Sequence, residues 1–437
     1  MAVTSDIKKA KSAALALAAL DTETKNNALK AMADALDKNR DKILKANAKD
    51  VSDAEQIAKK GELSDSLVKR LKVNDEKIDG MIDGIRDVIK IDDPVGETMS
   101  AIKLDNDLML YQIKCPIGML GVIFESRPDV VPQILSLCLK SGNGVAFKGG
   151  SEAKNSNKAL FEILTEAASS AGVPKETFVL METREDIKSI LEMDEYIDLL
   201  IPRGSYDFVK YIQNNTRIPV LGHSAGMCHI YVDDEADVSL ALGVVLDSKI
   251  QYPAVCNAVE TLLVNSEIAD EFLPKMAALF EENRVEMRAD RRAKKAIGPY
   301  TVKDAADEDW DTEYNDMIIS VALVDDLKEA IDFINKHGSH HTDAIITTNE
   351  EKQREFVRSV DSADVFINAS TRFADGFRFG KGAEVGVSTN KIHARGPMGM
   401  EGLMIYKYVL VGNGQMVKDY VGKDAKKYLH KKMNIKY

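Results

Sequence analysis

Cysteine is scarce in this sequence. The chain has four, at Cys115, Cys138, Cys228 and Cys256, and no two of them form a CxxC pair. So few and so dispersed thiols exclude a disulfide framework for 437 residues. Each cysteine is therefore either a core residue or a chemical group, and without further context a core role is the more common one.

Long apolar runs and a basic surplus are also missing. No run approaches the roughly 20 apolar residues of a membrane-spanning helix, and the formal net charge of -12 disfavours nucleic-acid binding. Residues 8–20 loosely imitate an export signal, but Asp21 and Glu23 follow where small residues should precede cleavage. We expect an amphipathic first helix in a cytoplasmic protein of two or three domains.

Familiar phosphate and metal motifs are absent as well. Neither GxGxxG nor GxxxxGK[ST] occurs, and the glycines of residues 376–381 have the wrong spacing for a phosphate loop. The histidines of residues 337–341 have no cysteine or carboxylate at ligand spacing, so no metal site is predicted there. A nucleotide cofactor would need another kind of binding loop.

The pattern along the chain predicts an α/β fold. Residues 1–93 have helical periodicity, and residues 99–118 predict a hairpin around an Asn-Asp turn. Strand-like runs at 120–125, 144–148, 177–181, 197–202, 218–222 and 229–233 then alternate with helical segments, and a second alternating stretch covers 238–368. Such alternation predicts parallel sheets that bind ligands beyond the carboxyl ends of their strands.

Cys256 has the most suggestive surroundings of the four cysteines. It lies in residues 251–261, QYPAVCNAVET, directly before the strand-like run LLV. A proline-containing loop that delivers a thiol to the start of a strand can expose it and place a backbone N–H beside it, which suits a nucleophile. A buried structural cysteine is the alternative from this pattern alone.

Three further segments make the pattern specific: PIGMLGVIFESRPDV at 116–130, IPRGSYDFV at 201–209, and the long run NASTRFADGFRFGKGAEVGVSTNKIHARGPMGMEGL at 368–403. Together with residues 251–261 they resemble the γ-glutamyl phosphate reductase branch of the aldehyde dehydrogenase superfamily. The resemblance runs from about residue 5 to residue 416. It implies an aldehyde dehydrogenase-like α/β fold with two Rossmann-like parallel-sheet domains and a small β oligomerisation extension.

The resemblance also implies domain bounds. The cofactor-binding domain would comprise residues 1–98 with 116–231 and 366–396, and the catalytic domain 232–365. Residues 99–115 with 397–416 would form the oligomerisation extension, and 417–437 a C-terminal tail. The strands of that extension would leave apolar edges on a monomer, so we expect a homo-oligomer.

The activity that the resemblance implies is reduction of L-glutamyl 5-phosphate to L-glutamate 5-semialdehyde in proline biosynthesis. NADPH would be the reductant, Cys256 the nucleophile that forms a thioester, and phosphate the leaving group. A separate glutamate 5-kinase would supply the substrate. An ordinary semialdehyde dehydrogenase and a catalytically silent protein on the same fold are the alternatives.

Cofactor residues follow by position in the resemblance. Lys148 takes the cationic position of the adenosine-ribose loop, with a solvated loop lysine as the alternative. Ser151 stands where NAD-preferring relatives carry a carboxylate, which favours NADP(H), although Glu152 is adjacent. The turn at Gly204 and Ser205 would approach the pyrophosphate. Glu313 would hold the nicotinamide ribose or else be a surface glutamate.

Substrate residues follow in the same way. His223 replaces the glutamate that activates water in hydrolytic relatives, which favours a reductase of acyl phosphates. Arg127 replaces the oxyanion asparagine, and its guanidinium suits phosphate or carboxylate, although a structural ion pair is the alternative. Ser370, Arg372 and Arg395 offer further donors and cations. Arg378 and Lys381 are also candidates, and several of these groups could only brace the loop.

Overall fold

The protein is described by a computed structural model that covers residues 2–60, 65–125, 127–182, 185–204, 206–222 and 225–437. The α-helices of these residues are α1 (Ala2–Ala18), α2 (Thr22–Lys38), α3 (Arg40–Lys59), α4 (Asp65–Leu71), α5 (Asp75–Lys90), α6 (Val130–Ser141), α7 (Lys154–Ser170), α8 (Glu185–Leu191), α9 (Tyr206–Asn214), α10 (Val238–Ile250), α11 (Ala269–Glu282), α12 (Arg291–Ile297), α13 (Leu327–His337) and α14 (Glu350–Ser359).

The β-strands of the same residues are β1 (Thr98–Asp105), β2 (Leu108–Pro116), β3 (Met119–Phe124), β4 (Gly144–Gly149), β5 (Phe178–Met181), β6 (Leu199–Arg203), β7 (Cys228–Val232), β8 (Val259–Asn265), β9 (Glu286–Ala289), β10 (Val302–Asp304), β11 (Ile318–Val324), β12 (Thr342–Ile346), β13 (Asp364–Ile367), β14 (Gly386–Ser388), β15 (Gly396–Met398), β16 (Met404–Val411) and β17 (Lys431–Met433). Short 3-10 helices occupy Ser151–Ala153, Lys175–Thr177, Asp307–Asp311, Thr371–Phe373, Met400–Leu403 and Val417–Tyr420.

The chain packs as two compact units. The first comprises Met1–Leu221, Lys381–Gly386 and Met398–Tyr437, and the second Gly222–Gly380 and Val387–Pro397. The second unit therefore begins earlier than the predicted catalytic domain and takes in most of residues 366–396. The physical reason is strand pairing, because β7 and β13 both pair with β12 in one sheet.

The amino-terminal helices of the first unit confirm the helical prediction for residues 1–93. In α5 the buried positions recur at helical spacing, at Ile78, Met81, Ile82, Ile85 and Val88. Residues 8–18 of the segment that imitates an export signal lie in α1, which buries one face and exposes the other. The prediction of an amphipathic first helix is therefore confirmed.

A four-stranded parallel sheet, in the order β5-β4-β3-β6, forms the core of the first unit. The predicted strand at 218–222 is wrong, since these residues make only an isolated bridge between Val220 and Leu200. Pro219 has no backbone N–H, and its carbonyl accepts one hydrogen bond from Leu200 (2.9 Å). The run therefore touches the edge of β6 without extending the sheet.

The loop after β4 is tied to the helical region by Asp50 of α3. Its carboxylate accepts hydrogen bonds from the backbone N–H groups of Asn155 (3.1 Å) and Ser156 (2.7 Å) at the start of α7, and from both side chains. A carboxylate satisfies the unpaired N–H groups of a helix N-terminus and complements its dipole. Asp50 thereby fixes the beginning of α7, just after residues 148–153.

The predicted hairpin is confirmed. β1 and β2 pair antiparallel around Asn106 and Asp107, and Asp107 has a positive φ of 56°. With β16 and β17 they form a four-stranded antiparallel sheet in the order β16-β2-β1-β17. The segment 417–437, expected as a tail, thus supplies a strand. This segment contacts both ends of β1. The Tyr420 hydroxyl donates to the Asp105 carboxylate (2.8 Å), and the N–H of Tyr437 donates to the Thr98 hydroxyl (2.9 Å).

The second unit is built on a seven-stranded sheet in the order β10-β9-β11-β8-β7-β12-β13, with parallel pairing throughout. Buried apolar side chains from both faces form its core, and every residue of β7 and β8 is buried. The two parallel sheets confirm the predicted fold class. Within the described parts of the chain, no helix has both the length and the apolar character needed to cross a bilayer.

Candidate active site

The Cys256 thiol is carried by the connection between α10 and β8 in the second unit. We call residues 251–257 the nucleophile loop. Cys256 is half-buried and is not in a disulfide. A hydrogen bond from the N–H of Ala258 to the carbonyl of Val255 (3.0 Å) closes a turn around it. A partly accessible thiol on a tight turn before a buried strand has the exposure that a nucleophile needs.

Gly226 lies against the backbone of this cysteine. A Cβ at position 226 would lie 2.5 Å from both Cα and Cβ of Cys256, so a larger residue would displace the thiol. Gly226 was not among the predicted site residues. The only signal in the sequence was a glycine shortly before a strand.

Cys228 lies behind the nucleophile loop on the first residue of β7. Its thiol donates to the carbonyl of Cys256 (3.2 Å) and is fully buried. Burial raises its pKa well above the usual value, and the charges of Asp343 and Cys256 raise it further. Cys228 is therefore a protonated structural thiol. This agrees with the core role that the sequence analysis gives a cysteine without further context.

The segment 370–374 is hydrogen-bonded to the end of the nucleophile loop. Thr371 donates its hydroxyl to the carbonyl of Asn257 (2.7 Å), and the Asn257 amide donates to the carbonyl of Ala374 (2.8 Å). Arg372 donates from Nε to Gln251 (2.9 Å) and from Nη1 to the amide oxygen of Asn257. The structure thus brings Arg372 to the loop that carries Cys256, at both of its ends.

Ser370 belongs to the same segment. It is buried, and its hydroxyl accepts hydrogen bonds from the Ser248 hydroxyl (3.1 Å) and the Arg372 N–H (3.3 Å). It begins the short helix Thr371–Phe373. These contacts fix the segment, and a substrate role for Ser370 stays a prediction.

Glu313 lies two residues before Asn315, which contacts Glu260 of β8, and Glu260 lies four residues after Cys256. The Glu260 carboxylate accepts a hydrogen bond from the N–H of Asn315 (3.4 Å). Burial raises the pKa of Glu260 to about 7, its pair with Lys249 lowers it, and the charge of Glu313 adds to the increase. The half-buried Glu313 is therefore close enough to Glu260 for their charges to interact.

Arg395 is held elsewhere in the second unit. Nη1 lies 3.1 Å from the carboxylate of Asp361 and donates to the carbonyl of Ser362 (3.3 Å), while Nη2 donates to the carbonyl of Asp361 (3.1 Å). Nε donates to the carbonyl of Thr389 (3.3 Å). All three guanidinium nitrogens thus contact protein oxygens, so in the described residues Arg395 braces its loop. Its substrate role stays a prediction.

The histidines of residues 337–341 have protein partners. His337 hydrogen-bonds through Nδ1 to Asp311 (2.8 Å), and His340 through Nδ1 to the carbonyl of Asp361 (2.7 Å). These contacts assign both imidazoles to loop structure. That the segment holds no metal stays a prediction.

The predicted cofactor loop lies at the carboxyl end of β4 in the first unit. Lys148 is buried, and its ammonium donates to the carbonyl of Gly149 (2.6 Å). Ser151 is exposed. Glu152 folds back over Gly150, where a Cβ would lie 2.5 Å from the carboxyl carbon of that glutamate. The exposed side chain of this loop is therefore a hydroxyl.

The second predicted cofactor turn follows β6. A Cβ at Gly204 would lie 2.7 Å from both the Glu125 carboxylate and the Phe208 ring, so only glycine fits between them. The turn ends β6 and precedes α9, as predicted. Arg127 is half-buried in the turn between β3 and α6, where its carbonyl accepts from the N–H of Val130 (3.1 Å). Ser205 and His223 lie outside the described residues.

Two parallel α/β sheets, and a half-buried cysteine on the turn before a strand, are typical of a dehydrogenase that works through a thiol. The model of the aldehyde dehydrogenase family matches residues 1–313, and the chain belongs to that family. A gamma-glutamyl phosphate reductase from Methanosarcina mazei is 60% identical over 441 residues, which cover 100% of this chain and 98% of that protein. At that identity and coverage, the chain belongs to the γ-glutamyl phosphate reductases.

Two further comparisons agree with this placement. A gamma-glutamyl phosphate reductase from Acetivibrio thermocellus is 52% identical over 427 residues, which cover 98% of this chain and 97% of that protein. The crystal structure of gamma-glutamyl phosphate reductase from Thermotoga maritima has a TM-score of 0.91 at 39% identity, over 94% of this chain and 99% of that one. The resemblance seen in the sequence is confirmed.

Proposed function

We propose that this chain reduces L-glutamyl 5-phosphate to L-glutamate 5-semialdehyde and releases phosphate, a step of proline biosynthesis. The observation that carries the proposal is the 60% identity, over the whole chain, to a relative named for this reaction. The geometry supports it, because the Cys256 thiol is partly exposed on a turn against which Gly226 packs closely and whose loop accepts hydrogen bonds from Arg372.

Cys256 is the proposed nucleophile. Its thiolate attacks the γ-acyl carbon, a C–S bond forms, and the C–O bond to phosphate breaks, so that phosphate leaves and a thioester remains. When bound, the reduced nicotinamide supplies the hydride. The C–S bond then breaks, which frees the semialdehyde and regenerates the thiolate. The backbone N–H of Cys256 stabilises the oxyanion in both steps, an effect of about 3 kcal/mol where such donors have been removed.

A nicotinamide cofactor is common to the aldehyde dehydrogenase family, and we propose NADP(H) for this member. The residues fit a 2′-phosphate, because the exposed side chain three residues after Lys148 is the hydroxyl of Ser151, while the Glu152 carboxylate is turned toward Gly150. A carboxylate facing the ribose would repel that phosphate. Gly204, Ser205 and Glu313 are the further proposed cofactor residues, and Arg127, His223, Ser370 and Arg395 the proposed substrate residues.

A homo-oligomer is proposed from the antiparallel sheet of the first unit. β16 is an edge strand whose side chains Tyr406, Tyr408 and Leu410 are at least half exposed. An exposed apolar edge strand readily pairs with a second copy. Light scattering after gel filtration would test this, and a monomer would contradict it. We also propose a contact with a separate glutamate 5-kinase, which co-sedimentation would test. A cytoplasmic location is a separate proposal.

The activity is tested in the oxidative direction by absorbance at the nicotinamide band, with glutamate semialdehyde, NADP⁺ and phosphate. We expect NADPH to form only when phosphate is present. Turnover without phosphate would instead indicate an ordinary semialdehyde dehydrogenase. No turnover by the folded protein would indicate a silent member of the family.

A further inference from the structure

The guanidinium of Arg372 spans the nucleophile loop. Nε donates to the side chain of Gln251 at its start (2.9 Å), and Nη1 donates to the side chain of Asn257 at its end. Cys256 lies between these two acceptors in sequence and directly precedes Asn257. One rigid planar group therefore fixes the distance between the two ends of the segment that carries the thiol.

Arg372 is itself fixed. It is 8% exposed, and its carbonyl accepts a hydrogen bond from Arg378 (3.1 Å). Its neighbour Thr371 donates to the carbonyl of Asn257 (2.7 Å). A buried arginine with two directed acceptors loses little further entropy when it holds the loop, because its fork is already ordered.

We propose that Arg372 is a positioning residue for Cys256, acting through Gln251 and Asn257, and that it is not a ligand of the substrate. The proposal rests on the proposed function, because it takes Cys256 as the nucleophile. The sequence suggested a substrate role for Arg372, whereas in the structure its Nε and Nη1 donate to side chains of the nucleophile loop.

Charge supports the same placement. Burial lowers the pKa of Arg372, the charge of Arg378 lowers it further, and the charges of Asp375, Cys256 and Asp247 oppose the change. Asn257, whose side chain accepts from Arg372, directly follows Cys256 in the chain. Loss of the arginine should therefore act on the position of the thiol, through the two side chains that it contacts.

The first test separates positioning from binding by steady-state kinetics. Arg372→Lys keeps a positive charge but cannot donate to Gln251 and Asn257 as a fork. We expect kcat to fall about 10²-fold, as for a small displacement of a reacting group, with KM for semialdehyde and for phosphate within about twofold of wild type. Arg292→Lys, at an exposed pair with Asp325 in the same unit, is the matched control and should change neither constant.

The second test is a double-mutant cycle with Asn257→Leu, which removes the acceptor. If Arg372 acts through Asn257, the double variant should lose no more kcat than the worse single variant. Gln251→Leu should show the same coupling from the other end of the loop. If Arg372→Lys does not fold, the Gln251→Leu and Asn257→Leu variants still decide, because both must lower kcat without raising KM.

Three results would overturn the proposal: a KM for phosphate or semialdehyde that rises about tenfold at constant kcat, additive losses in the cycle, or a folded Arg372→Lys enzyme with full kcat. Where both constants change, the cycle decides. Failure of the proposed function looks different, because the wild type itself would then show no phosphate-dependent turnover.

Discussion

The ammonium group of Lys249 lies 2.7 Å from the carboxylate of Glu260, and both side chains are buried. Lys249 is in the last turn of α10, and Glu260 is the second residue of β8, so the pair joins the two elements on either side of the nucleophile loop. Lys249 also donates to the carbonyl of Val259 (3.0 Å). This buried contact therefore joins a residue shortly before the nucleophile loop to a residue shortly after it.

Removal of one partner of this pair should destabilise the protein strongly. Above about pH 7, where the Glu260 carboxyl is ionised in the wild type, Lys249→Met removes the cation that stabilises this buried carboxylate, which typically costs about 3–5 kcal/mol. The double variant Lys249→Met, Glu260→Leu removes both charges and should recover most of that loss. Urea unfolding of the two single variants and the double variant measures this, and additive losses would show that the pair is not coupled.

The pH dependence of unfolding should carry a contribution from Glu260. Burial raises its pKa from 4.5 to about 7, against the effect of Lys249. The folded protein thus holds the proton more tightly than the unfolded chain, so this stabilising contribution is fully present below pH 4.5 and is lost as the pH rises through about 7. Glu260→Gln should remove that part of the slope. Urea midpoints from about pH 5 to pH 8 check it, and equal slopes would contradict it.

The local features of this fold could be predicted from the sequence, but most of its long-range contacts could not. The hairpin followed from an Asn-Asp turn between alternating strands, and Cys256 from its loop together with the family motif. No local pattern indicated that Arg372 would bind Asn257, 115 residues away, or that Asp50 would cap a helix 106 residues later. Such pairings depend on how distant elements pack. The strand predicted at 218–222 is a local pattern that misled, because Pro219 interrupts the apolar run and lacks the N–H that a sheet strand needs.

The four cysteines should differ sharply in their importance. Cys256→Ala should abolish phosphate-dependent turnover while cofactor binding is retained, because the proposed cofactor loops lie on other segments. Cys138→Ala and Cys115→Ser should keep activity, and so should Cys228→Ser, whose hydroxyl can still donate to the Cys256 carbonyl. Steady-state assays with each variant check this. Turnover by Cys256→Ala would exclude the thioester mechanism.

Ser151 should set the preference between the two nicotinamide cofactors. Ser151→Glu places a carboxylate at an exposed position of the proposed cofactor loop, where it would repel a ribose 2′-phosphate. We expect kcat/KM for NADPH to fall much more than kcat/KM for NADH. Ser151→Ala is the control, since it removes the hydroxyl without adding charge. An unchanged ratio of the two efficiencies in Ser151→Glu would show that residue 151 does not face the ribose.

His223 should decide whether the thioester is protected from water. Hydrolytic relatives carry a glutamate at this position, so His223→Glu should introduce some NADP⁺-dependent conversion of semialdehyde to free glutamate without phosphate. General-base assistance contributes roughly 10²–10⁴-fold when its geometry is right, so an imperfectly placed carboxylate should still give a detectable rate. Imidazole can itself act as a base near neutral pH, so His223→Gln is the control and the wild type must first show strict phosphate dependence.

Glutamate formation by the wild type at a comparable rate would make His223 a hydrolytic base. A folded His223→Glu enzyme that never makes glutamate would show that the pocket itself, rather than the missing carboxylate, keeps water from the thioester.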